Sequence, residues 1–238
     1  MSSVQVEVFS DVVCPWCYIG KRRLEQALQA FPHADAVTVT YRSFQLDPST
    51  PRDVSGTLTE RLATKYGVSL AQADAMNRRV TDVAATVGLD FRLDRAHPAN
   101  TFDAHRLLQH AAEHGRQGEL KERLMRAYFT EGGRVGDHAA LAGYAADAGM
   151  DVDRAAEVLG SDEYAEAVRA DLSLARSFGI NAVPFFVIDR RYGVEGAQES
   201  AVLLQTLETA WSEANPLTVV AAGHGTDDAA CDDGSCAV

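Results

Sequence analysis

The sequence has no uninterrupted apolar run of the roughly 18 residues that a membrane-spanning helix requires. It also shows no secretory leader, because its first apolar segment, Val4 to Phe9, follows no basic region and is broken by Gln5 and Glu7. Both absences argue against a membrane-bound or exported protein. The sequence therefore predicts a cytoplasmic protein without a membrane partner.

Positive charge is scarce as well. The 238 residues carry 22 Lys and Arg against 34 Asp and Glu, which gives a formal net charge of −12. Such a chain repels phosphates, so the charge argues against nucleic acid as a partner and favours a protein or a small molecule. With 46% apolar residues, the chain is long enough for one large domain or for a domain with an insertion.

Cysteine is rare: the chain has four, and no second Cys-x-x-Cys accompanies the first to complete a zinc site. In a cytoplasmic chain, so few cysteines indicate redox or metal chemistry rather than a structural disulfide framework. We expect no metal and no tightly bound cofactor. The chemistry is expected instead at Cys14-Pro15-Trp16-Cys17, which follows a strand pattern and opens a helical one.

The two sulfurs of this motif have different predicted roles. Cys14 stands at a helix N-terminus, where unpaired backbone N–H groups and the helix dipole stabilise a thiolate, so it is the predicted nucleophile. Cys17 lies one helical turn further on and can attack a mixed disulfide formed by Cys14, which makes it the resolving thiol. The alternative is a pair of buried, inert cysteines that happen to have this spacing.

Hydrophobic spacing predicts an α/β chain with a long helical block. Residues 4–9 and 37–41 alternate as strands do, on either side of a helix that ends at Pro32. From Leu58 to Phe178, apolar residues recur at helical spacing, which predicts about five to seven helices. The remaining predicted elements are a hairpin of strands at 185–188 and 192–195 and a last helix from Gln198 to about Ala214.

Three segments resemble the DsbA family of thiol oxidoreductases and its FrnE-like subgroup, namely Phe9–Gly20, Asn100–Leu107 and Gly179–Ile188. Relatives of that subgroup include 2-hydroxychromene-2-carboxylate isomerases and kappa-class glutathione transferases. The resemblance implies an α/β thioredoxin fold with a large all-helical insertion, as in DsbA. The implied division is a thioredoxin-like domain at 1–50 and 179–214, an inserted helical domain with a connecting helix at 51–178, and a flexible C-terminal tail at 215–238.

The resemblance also assigns a role to Val183 and Pro184. In thioredoxin-like folds a cis proline packs beside the two sulfurs, so the Val183–Pro184 bond is expected to be cis. Val183 is then expected to offer backbone hydrogen bonds to an extended substrate segment. The alternative from the residues alone is an ordinary trans proline at the start of an edge strand.

Two further residues are candidates for substrate binding. Trp16, between the sulfurs, can supply apolar contact area to a substrate, although core burial is the alternative. The helix that carries His105 either faces the active site and helps to shape it, or it places His105 beneath the cleft.

One position departs from the thioredoxin pattern. Val8 stands six residues before Cys14, where thioredoxins place a buried acid for proton transfer. Glu7 and Asp11 are nearby in sequence, but the pattern does not say which way they point. A dedicated internal base is therefore not predicted, and water or the substrate is expected to move the proton.

The C-terminal tail carries a second cysteine pair, Cys231 and Cys236, among several aspartates. Aspartates oppose thiolate formation, so these cysteines should attack poorly. They can instead exchange disulfides with Cys14 and Cys17 as a redox-active tail. The alternatives are an inert tail and an adventitious site for a soft metal.

Taken together, the sequence predicts a cytoplasmic thiol:disulfide oxidoreductase or isomerase that acts on protein disulfides and is reset by a thiol redox partner. One alternative is a glutathione-dependent isomerase or transferase with glutathione as co-substrate, although retention of Cys17 counts against it. The other is a redox-sensitive, chaperone-like binding protein.

Overall fold

A four-stranded mixed sheet organises the part of the chain that the computed structural model describes, which is residues 3–51, 54 and 56–216. The strands are β1 (Val4–Ser10), β2 (Val37–Ser43), β3 (Phe185–Ile188) and β4 (Tyr192–Glu195), in the spatial order β2-β1-β3-β4. Strands β1 and β2 are parallel, whereas β1–β3 and β3–β4 are antiparallel. The predicted strand pair and hairpin are confirmed, while the tail cysteines Cys231 and Cys236 lie outside the described residues.

Two helices cover one face of this sheet. They are α1 (Pro15–Ala30), which follows β1, and α9 (Ser200–Ala214), which follows the hairpin. Alternation along β1 sends Val4, Val6 and Val8 to this face, where they are buried with Leu24 of α1 and Leu203 of α9. Burial of each such side chain contributes about 1.5–3 kcal/mol, so α1 is firmly seated on the sheet.

The segment between β2 and β3 is helical, as the sequence predicts, and seven α-helices lie in its described part. They are α2 (Leu58–Tyr66), α3 (Leu70–Thr86), α4 (Phe102–Glu113), α5 (Gln117–Arg126), α6 (His138–Asp147), α7 (Val152–Gly160) and α8 (Ala165–Ser177). A π-helical turn, Ala127–Glu131, extends α5. Helices α4, α5 and α8 pack against β2, so the helical block covers the sheet face opposite α1 and α9.

The helical block also holds the N-terminal turn of α1. Tyr18 of α1 stacks on Phe91 at a centroid distance of 6.0 Å, and Phe91 stacks on Phe129 at 4.6 Å. All three belong to one buried cluster that also contains Cys14 and Cys17. Each aromatic pair adds about 0.5–1.5 kcal/mol beyond the burial of its area. The start of α1 is therefore fixed by the sheet below it and by the helical block above it.

Candidate active site

The Cys14-Pro15-Trp16-Cys17 motif forms the junction of β1 and α1, as predicted. Cys14 is the N-cap of α1, and its Sγ accepts a hydrogen bond from the backbone N–H of Cys17 at 3.3 Å. Pro15 occupies the first helical turn, where a missing N–H costs nothing. Both cysteines are free thiols and both are buried. The first sulfur therefore lies where the helix N-terminus favours negative charge.

The Val183–Pro184 peptide bond is cis, which confirms the prediction. It brings Val183 to the first sulfur, since the Cys14 thiol donates to the Val183 carbonyl at 3.6 Å. The Pro184 carbonyl accepts from the N–H of Gly196, which anchors this segment to the residues after β4. Among the described residues the Val183 N–H has no hydrogen-bond partner. A free donor beside a sulfur suits an extended substrate backbone.

The close approach of α1 to this segment depends on Gly20. A Cβ atom at Gly20 would lie 2.9 Å from Cγ of Pro184 and 3.2 Å from Cζ of Phe186. Both distances are shorter than carbon atoms in ordinary contact allow, which is about 3.5–4.0 Å. Glycine is therefore needed here for the packing of α1 against the cis proline.

A buried polar cluster lies beneath the two sulfurs. The Asp11 carboxylate accepts hydrogen bonds from the backbone N–H groups of Val12 and Leu46, both at 2.8 Å, and from Nε2 of His105 at 3.1 Å. Lys121, from α5, donates to the Ser10 carbonyl at 3.4 Å. All of these side chains converge from separate elements on the end of β1.

Burial sets the protonation of this cluster. Burial opposes ionisation of Asp11, but the bond to His105, the N–H of Leu46 and the charge of Lys121 together lower the pKa of its carboxyl group. Burial lowers the pKa of Lys121 to about 8, against the opposing effect of Cys17 and Asp11. Burial and the Cys14 sulfur raise the pKa of the Cys17 thiol well above its usual range. Cys17 is therefore protonated near neutral pH, and the Lys121 ammonium loses its proton at a lower pH than an exposed lysine does.

Glu7, the other acid near the motif in sequence, points away from the thiols. It pairs with Arg42, at 2.6 Å, and with Arg190, at 3.0 Å, on the sheet face that α8 covers. Burial would raise the pKa of Glu7, but these two guanidinium groups lower it. Glu7 is therefore an ionised structural residue, and Asp11 is the acid beneath the site.

The placement of His105 corrects its predicted contact with substrate. His105 is 1% exposed and is not among the residues that line the cleft. Its helix, α4, is covered on this side by the β1–α1 junction, so the imidazole meets Asp11 instead of solvent. The alternative left open by the sequence, a histidine hydrogen-bonded beneath the cleft, describes its position.

The sequence analysis missed Lys121 entirely. A signal was present, because Lys121 falls on the apolar stripe of α5 with Leu120, Leu124 and Met125, where a lysine is out of place. A charged residue on a core-facing stripe indicates a partner or a function. Neither could be identified without the contacts of the folded chain.

A cavity of about 700 Å³ opens beside Cys14, between the β1–α1 junction and the helical block. Trp16 and Leu46 line this cavity and are 41% and 37% exposed, so Trp16 is not a core residue. The cavity is lined further by apolar side chains, Leu58, Leu62, Val80, Leu93 and Phe129, and by charged ones, Asp47, Arg61, Lys65 and Arg79, of which Asp47 and Arg61 pair at 3.5 Å. An apolar wall with a few cations suits a peptide or an anionic small molecule.

Two other features of the described ranges bear on function. No group of three or more His, Cys, Asp or Glu side chains there is arranged to hold a metal ion. Every helix in those ranges is too short or too polar to cross a bilayer.

A free dithiol at a helix N-terminus that faces a cis proline defines the class of thioredoxin-fold proteins with a thiol–disulfide site. Comparison with known proteins narrows this class. The model of the DsbA-like thioredoxin domain matches residues 5–208, and the chain belongs to that family. The fold is accordingly a DsbA-like thioredoxin fold with a helical insertion.

Solved structures agree with this assignment. A probable DsbA oxidoreductase from Streptomyces coelicolor is 44% identical, with a TM-score of 0.84, over 94% of this chain and 97% of that one. A 2-hydroxychromene-2-carboxylate isomerase shares 16% identity and a TM-score of 0.64 over 88% and 97% of the two chains. The cytosolic disulfide reductase DsbM from Pseudomonas aeruginosa, in complex with glutathione, shares 18% identity and a TM-score of 0.59 over 87% and 98%. The last two are similar in fold.

Proposed function

We propose that this protein is a thiol:disulfide oxidoreductase that acts on protein disulfides through Cys14 and Cys17. The observation that carries the proposal is the position of the Cys14 sulfur, which lies at the N-cap of α1, 3.6 Å from the Val183 carbonyl, in the lining of the cavity. A substrate disulfide that enters this cavity meets a nucleophilic sulfur and a free backbone donor together.

The reduction of a substrate disulfide takes two exchange steps. In the first, the Cys14 thiolate bonds to one substrate sulfur, and the other leaves as a thiolate that takes a proton from solvent. In the second, the Cys17 sulfur attacks Cys14, which forms the Cys14–Cys17 disulfide and releases the second substrate thiol. Two electrons pass from the cysteine pair to the substrate, so a thiol redox partner must return them. The same steps in reverse oxidise a substrate dithiol, and together they isomerise disulfides.

The surroundings of Cys14 favour a polypeptide as the substrate. The Val183 N–H is free to bond an extended chain, and the exposed Trp16 and Leu46 offer apolar contact area beside it. Main-chain hydrogen bonds give affinity without sequence preference, as a protein with many substrates requires.

Turnover of protein substrates tests the proposal. We expect the wild type to catalyse insulin reduction or the reactivation of scrambled ribonuclease, and Cys14→Ala to abolish both while unfolding at the wild-type temperature. A wild type that turns over neither substrate would refute the proposal. Binding of unfolded protein without turnover would favour the chaperone-like alternative.

We also propose that the tail pair Cys231 and Cys236 exchanges disulfides with Cys14 and Cys17. The roughly 15 residues between Pro216 and Cys231 span about 50 Å when extended. This reach is about twice the length of α1, about 24 Å, so distance does not prevent the tail cysteines from reaching Cys14. The Cys231→Ser, Cys236→Ser double variant should lose the mixed disulfide between tail and active site that mass spectrometry detects under limiting oxidant. Absence of that species in the wild type, or unchanged turnover in the double variant, would remove the tail from the mechanism.

Glutathione is a second candidate substrate, and the basic lining of the cavity favours it. Glutathione carries a thiol and two carboxylates, and Arg61, Lys65 and Arg79 face the cavity that holds Cys14. It would serve either as the reductant that resets the cysteine pair or as the co-substrate of an isomerase or transferase. The DsbM structure with glutathione supports its fit to this fold.

Two adjacent arginines of α3 make a matched test for glutathione. Arg79 lines the cavity, whereas Arg78 is exposed and pairs with Asp74. We expect Arg79→Ala to raise the KM for glutathione about tenfold, and Arg78→Ala to leave it unchanged. If both substitutions changed the KM for glutathione equally, or if neither changed it, the cavity would be excluded as the glutathione site.

We further propose that the protein acts in the cytoplasm. The fold similarity to DsbM, which is a cytosolic disulfide reductase, motivates this. Cell fractionation with antibody detection tests it, and recovery of the protein outside the cytoplasmic fraction would contradict it.

A further inference from the structure

The Cys17 thiol must lose a proton before it can attack, yet it lies in a closed environment. Cys17 is 2% exposed, and burial together with the Cys14 sulfur raises the pKa of its thiol. Val8, six residues before Cys14, cannot take a proton. Another part of the fold has to supply the acceptor.

Lys121 has the position and the environment of such an acceptor. It is 1% exposed on α5, and its Nζ reaches the end of β1 at Ser10, four residues before Cys14. Its Nζ makes a single hydrogen bond to the described residues, 3.4 Å long, to the Ser10 carbonyl. A lysine ammonium donates three hydrogen bonds, so one long bond leaves the charged form poorly satisfied. The site therefore lowers the pKa of Lys121 to about 8, so that the neutral amine, which is a base, forms at lower pH than in an exposed lysine.

The groups that face Lys121 come from several elements. Asp11 and Cys14 lie at the β1–α1 junction, Cys17 and Lys21 belong to α1, and the Tyr41 ring of β2 lies 5.8 Å from Nζ. Asp11 is the only carboxylate among them, and its pKa is lowered, so it is ionised near neutral pH. The Asp11 carboxylate offsets the cost of burying the Lys121 ammonium, whereas the positive charge of Lys21 adds to that cost. His105 fixes Asp11 in place by the bond from Nε2.

We propose that Lys121, as the neutral amine, accepts the proton of the Cys17 thiol while Cys17 attacks a mixed disulfide on Cys14. Asp11 is a positioning residue in this step, because its charge stabilises the ammonium that forms. The inference rests on the proposed function only in requiring that Cys14 forms mixed disulfides.

The step balances in atoms and electrons. The S–H bond of Cys17 breaks and an N–H bond forms on Lys121. The electron pair left on Cys17 forms the bond to Cys14, and the bond from Cys14 to the substrate sulfur breaks with its electron pair on that sulfur. The substrate thiolate then takes a proton from solvent. In the oxidising direction Cys17 is the leaving group, and the Lys121 ammonium returns the proton to it.

A chromogenic disulfide separates the two exchange steps. With limiting dithiobis(nitrobenzoate), Cys14 releases one coloured thiolate in a first phase, and Cys17 releases the second as the protein disulfide closes. In the wild type we expect the rate of the second phase to rise with pH and to level off, with a midpoint near the pKa of Lys121, about 8. In Lys121→Met the second phase should be at least about tenfold slower at pH 7 and should rise without levelling off, since hydroxide replaces the lysine.

Two further variants make the test specific. Lys21 is also buried, at 5% exposure, but it pairs with Glu25 and Glu122. Lys21→Met should keep the plateau rate and move the midpoint upward, because a like charge near Lys121 is lost. Asp11→Asn should move the midpoint to lower pH, because the ammonium loses its counter-charge.

The outcomes separate this inference from the proposed function. A folded Lys121→Met protein with an unchanged second phase and pH profile would overturn the role of Lys121. An unchanged midpoint in Asp11→Asn would overturn the role of Asp11. Absence of the first phase in the wild type would overturn both the proposed function and this inference, because Cys14 would then form no mixed disulfide for Cys17 to attack. Absence of protein turnover with both phases intact would count against the proposed function alone, and the second phase would still decide the role of Lys121.

Discussion

The contact between Gly20 and Pro184 leads to a prediction about stability and turnover together. Replacing Gly20 by Ala places a methyl carbon 2.9 Å from Cγ of Pro184 and 3.2 Å from Cζ of Phe186. Phe186 is completely buried, and Pro184 is held by the bond from Gly196 to its carbonyl, so neither can move away freely. Either α1 or the segment with Val183 and Pro184 must shift.

The expected size follows from comparison with a second helical glycine. Gly143 of α6 has no atom within 4 Å of an added Cβ. Alanine at either position adds about 0.5–1 kcal/mol of helix propensity, so this gain cancels between the two variants. What remains is the cost of overpacking, about 1–3 kcal/mol. Gly20→Ala should therefore unfold about 2–12 °C below Gly143→Ala.

Thermal unfolding and insulin reduction, measured on both variants, check this prediction. We expect Gly20→Ala to lose turnover as well as stability at a temperature where it is fully folded, because the shift moves Val183 away from Cys14. Gly143→Ala should retain wild-type turnover. Equal stability and equal turnover of the two variants would show that α1 does not approach Pro184 as closely as described.

Three other substitutions have distinct expected outcomes. Cys17→Ala should keep the first phase with the chromogenic disulfide and stop there, with the mixed disulfide held on Cys14. Trp16→Ala should raise the KM for protein substrates several-fold but leave the chromogenic disulfide unaffected, since only a polypeptide reaches the indole. Burial would raise the pKa of Glu122, but its ion pairs, chiefly with Arg22, lower it to about 2. The stability that Glu122→Gln removes should therefore be complete above pH ~4.3 and vanish as the pH falls towards 2.

Each of these predictions has a contradicting result. A complete second phase in Cys17→Ala would mean that another thiol resolves the mixed disulfide. Equal changes for both substrates in Trp16→Ala would mean that the indole shapes the site rather than binding polypeptide. A stability difference between wild type and Glu122→Gln that persists at pH 2 would mean that the carboxylate contributes by packing and not by charge.

The sequence was sufficient for the elements and for the placement of Cys14 and Cys17 at the start of α1. Local patterns in the sequence predict the elements, and the structure agrees closely with them. These patterns are the alternation in β1, the helical spacing between β2 and β3, and the polar turn before β4. The resemblance of residues 179–188 to the DsbA family implied the cis proline.

Contacts between distant segments could not be predicted in this way. Lys121 and Ser10 are 111 positions apart, and His105 and Asp11 are 94 apart. Periodicity shows that a residue faces a core but not which element it meets there. For this reason the sequence could not decide whether His105 faces the substrate or lies beneath the cleft, and it did not place Lys121 in the site at all.

The central claim is that Cys14 and Cys17 form a reversible redox pair. It is tested most directly by equilibrating the protein in glutathione buffers of graded ratio, quenching with acid, alkylating free thiols and mapping each cysteine by mass spectrometry. The account predicts that Cys14 and Cys17 lose alkylation together along one two-electron transition. Thiols that stay reduced at every ratio, or a glutathione adduct on Cys14 with Cys17 always free, would contradict it.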